Sequence, residues 1–195
     1  MNEFAKETIK NHLKCVGRNF LVHMLAVALG WAAFPLILIL LARYTTVDVP
    51  MAVFSVFASL IYGTMLISQG NEYGLTDAKP YNWARYGAKG FVIGAAAAII
   101  VFMLELFMIA LADKYFYVSH PQFDIANVNN YIRMILVVPF FWFYKLIGAK
   151  DAIIPRVTVL SSLFAVPFCS MFTGIGYLFG RAGIVVDFRP KKRRP

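Results

Sequence analysis

The run MILVVPFFWFY, residues 134–144, closed off by Arg133 before it and Lys145 after it, decides the fold. If it crosses a bilayer, the chain has five spans and its two ends lie on opposite sides. If it does not, there are four. A crossing helix needs about 20 apolar residues to traverse a ~30 Å hydrocarbon core, and this run has eleven, divided by Pro139. A segment that short suits an interfacial, re-entrant or buried position. We read residues 131–148 as a non-crossing segment.

The rest of the chain supplies the membrane. Its 195 residues are 60% hydrophobic and 16% aromatic, with a mean hydropathy of +0.66. That balance excludes an ordinary soluble domain. The alternating segments of about ten residues expected of a transmembrane β-barrel are not evident. The fold class expected is therefore all-α, a polytopic transmembrane helix bundle. Spans are expected over 20–42, 51–68, 90–112 and 156–180, making residues 20–180 the membrane bundle.

Each expected span carries small residues. Gly30 lies in an alanine-rich stretch of the first, Gly90 and Gly94 open the third four residues apart, and Gly174, Gly176 and Gly180 close the last. In lipid no hydrophobic force draws helices together, so close backbone approach at small residues is a main source of association. We expect these glycines to serve helix packing, chiefly within the bundle and secondarily in a homo-oligomer or with a membrane partner.

Residues 1–19 place Lys6, Lys10 and Lys14 on one stripe and Ile9, Leu13 and Val16 on another, an amphipathic pattern. This segment fits either an interfacial helix or a plain extension of the first span. Residues 181–195 form a basic tail with Arg189, Lys191, Lys192, Arg193 and Arg194. Both segments suit anionic lipid headgroups, and neither is read as a nucleic-acid site. No cleavable signal is evident, so the first span is expected to insert uncleaved.

Charge placement supports four spans. With both termini cytoplasmic, thirteen of the nineteen basic residues fall on the inner side. If residues 134–144 crossed, the division would be ten against nine, which carries no orientation signal. The protein is accordingly expected in the plasma membrane of a bacterium, with both ends inside.

Chemistry is sparse. Glu105 lies seven residues from the end of the third span, about 11 Å below that boundary at ~1.5 Å per residue. An acid at that depth is expensive unless protonated or partnered, and it is a candidate ligand or proton site. Trp142 and Tyr144 of the aromatic run could complete such a site. The other use of Glu105 is structural, with its carboxyl bonded to a Ser, a Tyr or a backbone carbonyl. His23, three residues into the first span, is expected at the opposite interface. Cys15 and Cys169 lack the spacing of a metal site or disulfide framework, and no catalytic set is evident. No cofactor or metal is expected. The composition points to a non-enzymatic subunit or accessory component of a membrane complex. The alternative is a small solute-binding or transport protein with a pocket near Glu105 and residues 131–156.

Overall fold

The computed structural model describes residues 3–41, 48–79, 86–115, 129, 132–133, 135–146 and 154–186. It is all-α. Helices α1 (Glu3–Leu41), α2 (Asp48–Asp77), α3 (Lys89–Tyr115) and α5 (Ile154–Arg181) are long, and α4 (Phe141–Leu146) is a short one preceded by a 3-10 turn over Val138–Phe140. Four helices contain stretches long and apolar enough to cross a membrane: Ala5–Ala33, Val53–Asp77, Lys89–Leu111 and Thr158–Arg181. The protein is a polytopic helical membrane protein.

The long helices alternate in direction. Tyr73, near the end of α2, donates to the Cys15 carbonyl at 3.0 Å, and Asn19 of α1 donates to Thr173 near the end of α5 at 3.1 Å. The start of α1, the end of α2, the start of α3 and the end of α5 therefore share one end of the bundle. Helix α5 packs against both α2 and α3, and α1 closes the arrangement on the other side.

Backbone proximity explains why α5 holds two neighbours. A Cβ built on Gly176 would fall on the Ile67 carbonyl of α2, and one on Gly180 would fall on the Asn71 carbonyl. Their counterparts on α2 are Gly70 and Gly74, where a Cβ would strike the Thr173 and Tyr177 carbonyls. Toward α3, Gly94 lies against the Cys169 carbonyl, Gly90 against Tyr177, and Gly174 under the Phe91 ring. Gly30 of α1 faces Phe54 at ordinary contact distance. Two small-residue pairs thus mesh between α2 and α5.

One element boundary differs from the sequence reading, and the N-terminal segment takes one of its two alternatives, the extension of the first span. Helix α2 continues past Ser68 to Asp77 because Asn71, Tyr73, Gly74 and Asp77 are buried against neighbours rather than solvated in a loop. The N-terminal segment is the first part of one 39-residue helix, about 58 Å long at ~1.5 Å per residue, so it projects beyond the core rather than lying along its surface. His12 stacks on Tyr86 at 5.6 Å and pins that projection to the α2–α3 connection. At the same end of the bundle, Gly183 takes φ +77 and closes α5, with Ile184 N–H donating to the Phe179 carbonyl at 3.0 Å.

The segment around residues 134–144 is re-entrant. Measured against α5, Arg133 sits at the level of Thr158, Phe140 reaches Phe168 and Phe143 is back at Phe164. The chain thus enters by about 15 Å at ~1.5 Å per residue of α5 and turns back. The aromatic run is therefore not an anchor lying in the interface, because Val137 and Phe140 are fully buried.

Two outcomes test this architecture. Gly94→Ala and Gly176→Ala should each lower stability in detergent by about 1–3 kcal/mol through overpacking, whereas Gly17→Ala, with nothing within 4 Å, should leave it unchanged or raise it. Equal effects would remove the close-contact account. Single cysteines at Ile132 and Leu146 should react with a membrane-impermeant maleimide from the same face of oriented vesicles. Labelling from opposite faces would show that the segment crosses.

Candidate functional site

The re-entrant segment carries non-helical backbone to membrane depth, which is tolerated only where protein or water satisfies its polar groups. Two α2 serines one turn apart meet that need. The Ser59 hydroxyl bonds to the Pro139 carbonyl and accepts from the Trp142 indole N–H at 2.6 Å. Ser55 accepts the Trp142 backbone N–H at 2.6 Å. From α1, His23 Nε2 donates to the Leu136 carbonyl at 3.1 Å. A carbonyl only accepts, so Nε2 carries the ring proton. His23 is buried, not interfacial as the sequence suggested, because the tip of the segment comes down to meet it.

Rings fill the space around that tip. Phe140 meets Tyr62, Phe164 and Phe168 edge-on at 5.9, 6.2 and 5.2 Å and stacks with His23 at 6.3 Å. Edge-to-face pairs add about 0.5–1.5 kcal/mol each beyond the area they bury. Behind them the Tyr62 hydroxyl and the Cys169 thiol lie 3.2 Å apart.

The entry to the segment is fixed by charge. Arg133 presents Nε and Nη2 to Glu105 Oε1, each at 2.6 Å, and Nη2 also donates to Thr158 at 2.8 Å. Glu105, Arg133 and Thr158 are all buried, joining α3, the segment and α5. One turn beyond Glu105, the Met108 carbonyl accepts from Asn129 at 3.2 Å. Three acceptor atoms in this region, Glu105 Oε2, Asn129 Oδ1 and Ser161 Oγ, are buried with no partner among the described residues.

A second buried pair lies at the opposite end. Lys89, which opens α3, bonds both oxygens of Asp77 at 3.0 and 2.7 Å, and the Tyr177 hydroxyl donates to Asp77 Oδ2 at 2.9 Å. Beside it, between α1 and α2, is a cavity of about 150 Å³ whose lining includes Lys14, Arg18 and Glu72.

The sequence-derived site residues are distributed as follows. Glu105 is bridged by Arg133, while Trp142 sits against the α2 serines and Phe164, so the two do not meet. The side chain of Tyr144 lies outside the described residues, as do Arg189, Lys191, Lys192, Arg193 and Arg194. Lys6, Lys10 and Lys14 are exposed on α1. The glycines lie at the helix contacts already given. Sequence reasoning missed Arg133, Asp77 and Lys89. Arg133 was legible as a basic group bordering an apolar run with a lone acid in a neighbouring span. Asp77 and Lys89 were hidden in a stretch that reads as a solvated loop. Comparison with protein-family models, curated proteins and solved structures returned no match for the chain.

Removing one partner of a buried ion pair strands the other charge and costs about 3–5 kcal/mol, whereas replacing both with apolar groups is close to neutral. Glu105→Leu and Arg133→Leu should each destabilise the protein by that order in detergent unfolding, and the double variant should be more stable than either. Simple addition of the two losses would show that the side chains act independently.

Proposed function

We propose that this protein is a non-enzymatic subunit or accessory component of a membrane complex, oriented with its basic end toward the cytoplasm. The observation that carries the reading is the use made of Glu105. An acid buried in a span is a functional candidate by default, yet here it holds Arg133 and so fastens the re-entrant segment to α3 and α5. That arrangement supports a structural use. Asp77 and Lys89 are committed to each other in the same way. The glycines that could have built an interface with another chain are engaged inside the bundle.

What remains turned outward is apolar. Val92, Ile99, Met103, Leu106 and Phe107 are exposed along α3. A partner of this subunit would be a membrane helix seated on such a face in place of lipid. The orientation is supported by charge, since Lys6, Lys10, Lys14, Arg18, Lys79, Lys89 and Arg181 all belong to helix ends gathered at one side.

A solute-binding reading has one observation in its favour, the unshared Glu105 Oε2 close to the entry of the segment. Purification from native membrane in mild detergent, repeated with Glu105→Gln, separates the two. The subunit reading expects a stoichiometric protein partner that is lost together with abundance in the variant. A solitary chain carrying a small molecule, with the variant normally abundant but empty, would replace it with the solute-binding reading.

A further inference from the structure

We propose that the cleft between α1 and α2 at the basic end is a built site for one anionic glycerophospholipid, its phosphate on Lys14 and Arg18 and an acyl chain along Leu21 and Leu25. The site has two compartments. The polar one is the cavity of about 150 Å³, whose charged lining is Lys14, Arg18, Lys89, Glu72 and Asp77. At about 30 Å³ per water, that is the volume of roughly five waters, the scale of a small phosphate headgroup. The other is a groove of about 350 Å³ lined by Leu21, Val22, Leu25 and Gln69. Arg18 and Glu72 line both, so the two spaces adjoin at those side chains.

Their position matches the two halves of a lipid. On α1 the basic residues Lys6, Lys10, Lys14 and Arg18 are followed by no further charge until Arg43, and on α2 no charge lies between Asp48 and Glu72. The boundary of the hydrocarbon core therefore passes close to Arg18 and Glu72. The polar compartment lies on the water side of that boundary and the apolar groove on the acyl side. A soluble anion would use only the first. A lipid uses both, and their adjacency at Arg18 and Glu72 favours it.

The charge available also fits. Lys89 is engaged by Asp77 at 2.7 Å, so that pair contributes little net charge. Lys14 and Arg18 are exposed and have no ion pair among the described residues, leaving two cations for a phosphate. Among the described residues the Glu72 carboxylate accepts a long bond from Gln69, at 3.4 Å, and remains able to accept from a hydroxyl. A headgroup that bears hydroxyls beyond its phosphate, as a glycerol headgroup does, answers both demands. A choline headgroup offers no donor to Glu72. The site does not depend on whether the chain has a protein partner.

The test is native mass spectrometry of the detergent-solubilised full-length chain titrated with phosphatidylglycerol, with phosphatidylcholine, and with soluble glycerol phosphate as competitor. One phosphatidylglycerol should bind per chain, more tightly than phosphatidylcholine and undisplaced by glycerol phosphate. A basic residue near the surface contributes about 1 kcal/mol, so Lys14→Ala with Arg18→Ala should weaken binding about 30-fold. Leu21→Ala, at a side chain 66% exposed that leaves no internal cavity when shortened, should weaken it through the groove alone. Lys6→Ala with Lys10→Ala should leave it unchanged. Equal loss in that control pair would reduce the site to diffuse surface charge, and displacement by glycerol phosphate would make it a site for soluble phosphate. Undiminished binding in the Lys14/Arg18 variant, with its melting temperature intact, would overturn the proposal outright.

Discussion

Everything in this bundle answers to the rule that backbone polar groups at membrane depth must find partners within the protein. Long helices satisfy it internally. The segment through Pro139 cannot, since proline has no N–H and the 3-10 turn closes just two bonds among its described residues, from Phe140 N–H to the Val137 carbonyl at 2.8 Å and from Phe141 N–H to the Val138 carbonyl. The remaining groups are met from outside by Ser55, Ser59 and His23. Those residues would be costly in a lipid-facing position, and their burial follows from the segment they serve. The ion pair at its entry extends the same logic to charge. Arg133 and Glu105 each remove the other's penalty, and Thr158 takes a further guanidinium proton.

A second constraint is distance. Helix α5 touches α2 and α3 at backbone range, which requires that no Cβ intervene at Gly70, Gly74, Gly176 and Gly180 on one side or at Gly90 and Gly94 on the other. Such contacts gain dispersion energy over many atoms at once, and in lipid they replace the hydrophobic drive that organises soluble cores. Polar side chains then join the same seams. Ser170 donates to the Phe91 carbonyl at 3.0 Å, and Asn71 bonds the chain as it leaves α5 through Ile184 and Val186.

The membrane class, the four spans and the failure of residues 134–144 to cross were legible because length against hydrocarbon thickness is a hard limit and the basic residues break the tie. The glycines of the last span were legible as a packing face, but Gly70 and Gly74 were not. They lie in SQGNEYGLTD, a polar stretch whose composition says loop and whose burial depends on a helix about a hundred residues away. Glu105 is visible in the sequence as an anomaly, but its partner Arg133 stands at the edge of an apolar run, where a base reads as an ordinary boundary residue. The depth of His23 could not be read at all from one helix. A residue near a span's end is buried or exposed according to what descends beside it, and here that is a segment more than a hundred residues later in the chain.

Rigidity is where these features converge, and it bears on what kind of work the fold suits. Alternating access moves one group of helices against another about a seam. In this bundle the central helix meets neighbours on both sides by backbone contact, and ion pairs bind elements at both ends, Lys89 with Asp77 at one and Arg133 with Glu105 at the other. Sliding α5 against either neighbour would drive a carbonyl into a helix with no side chain to yield. Opening either end would strand a buried charge, at a cost of about 3–5 kcal/mol. On the subunit reading proposed above, a scaffold tied at both ends would present fixed faces, apolar along α3 and amphiphilic at the α1–α2 cleft.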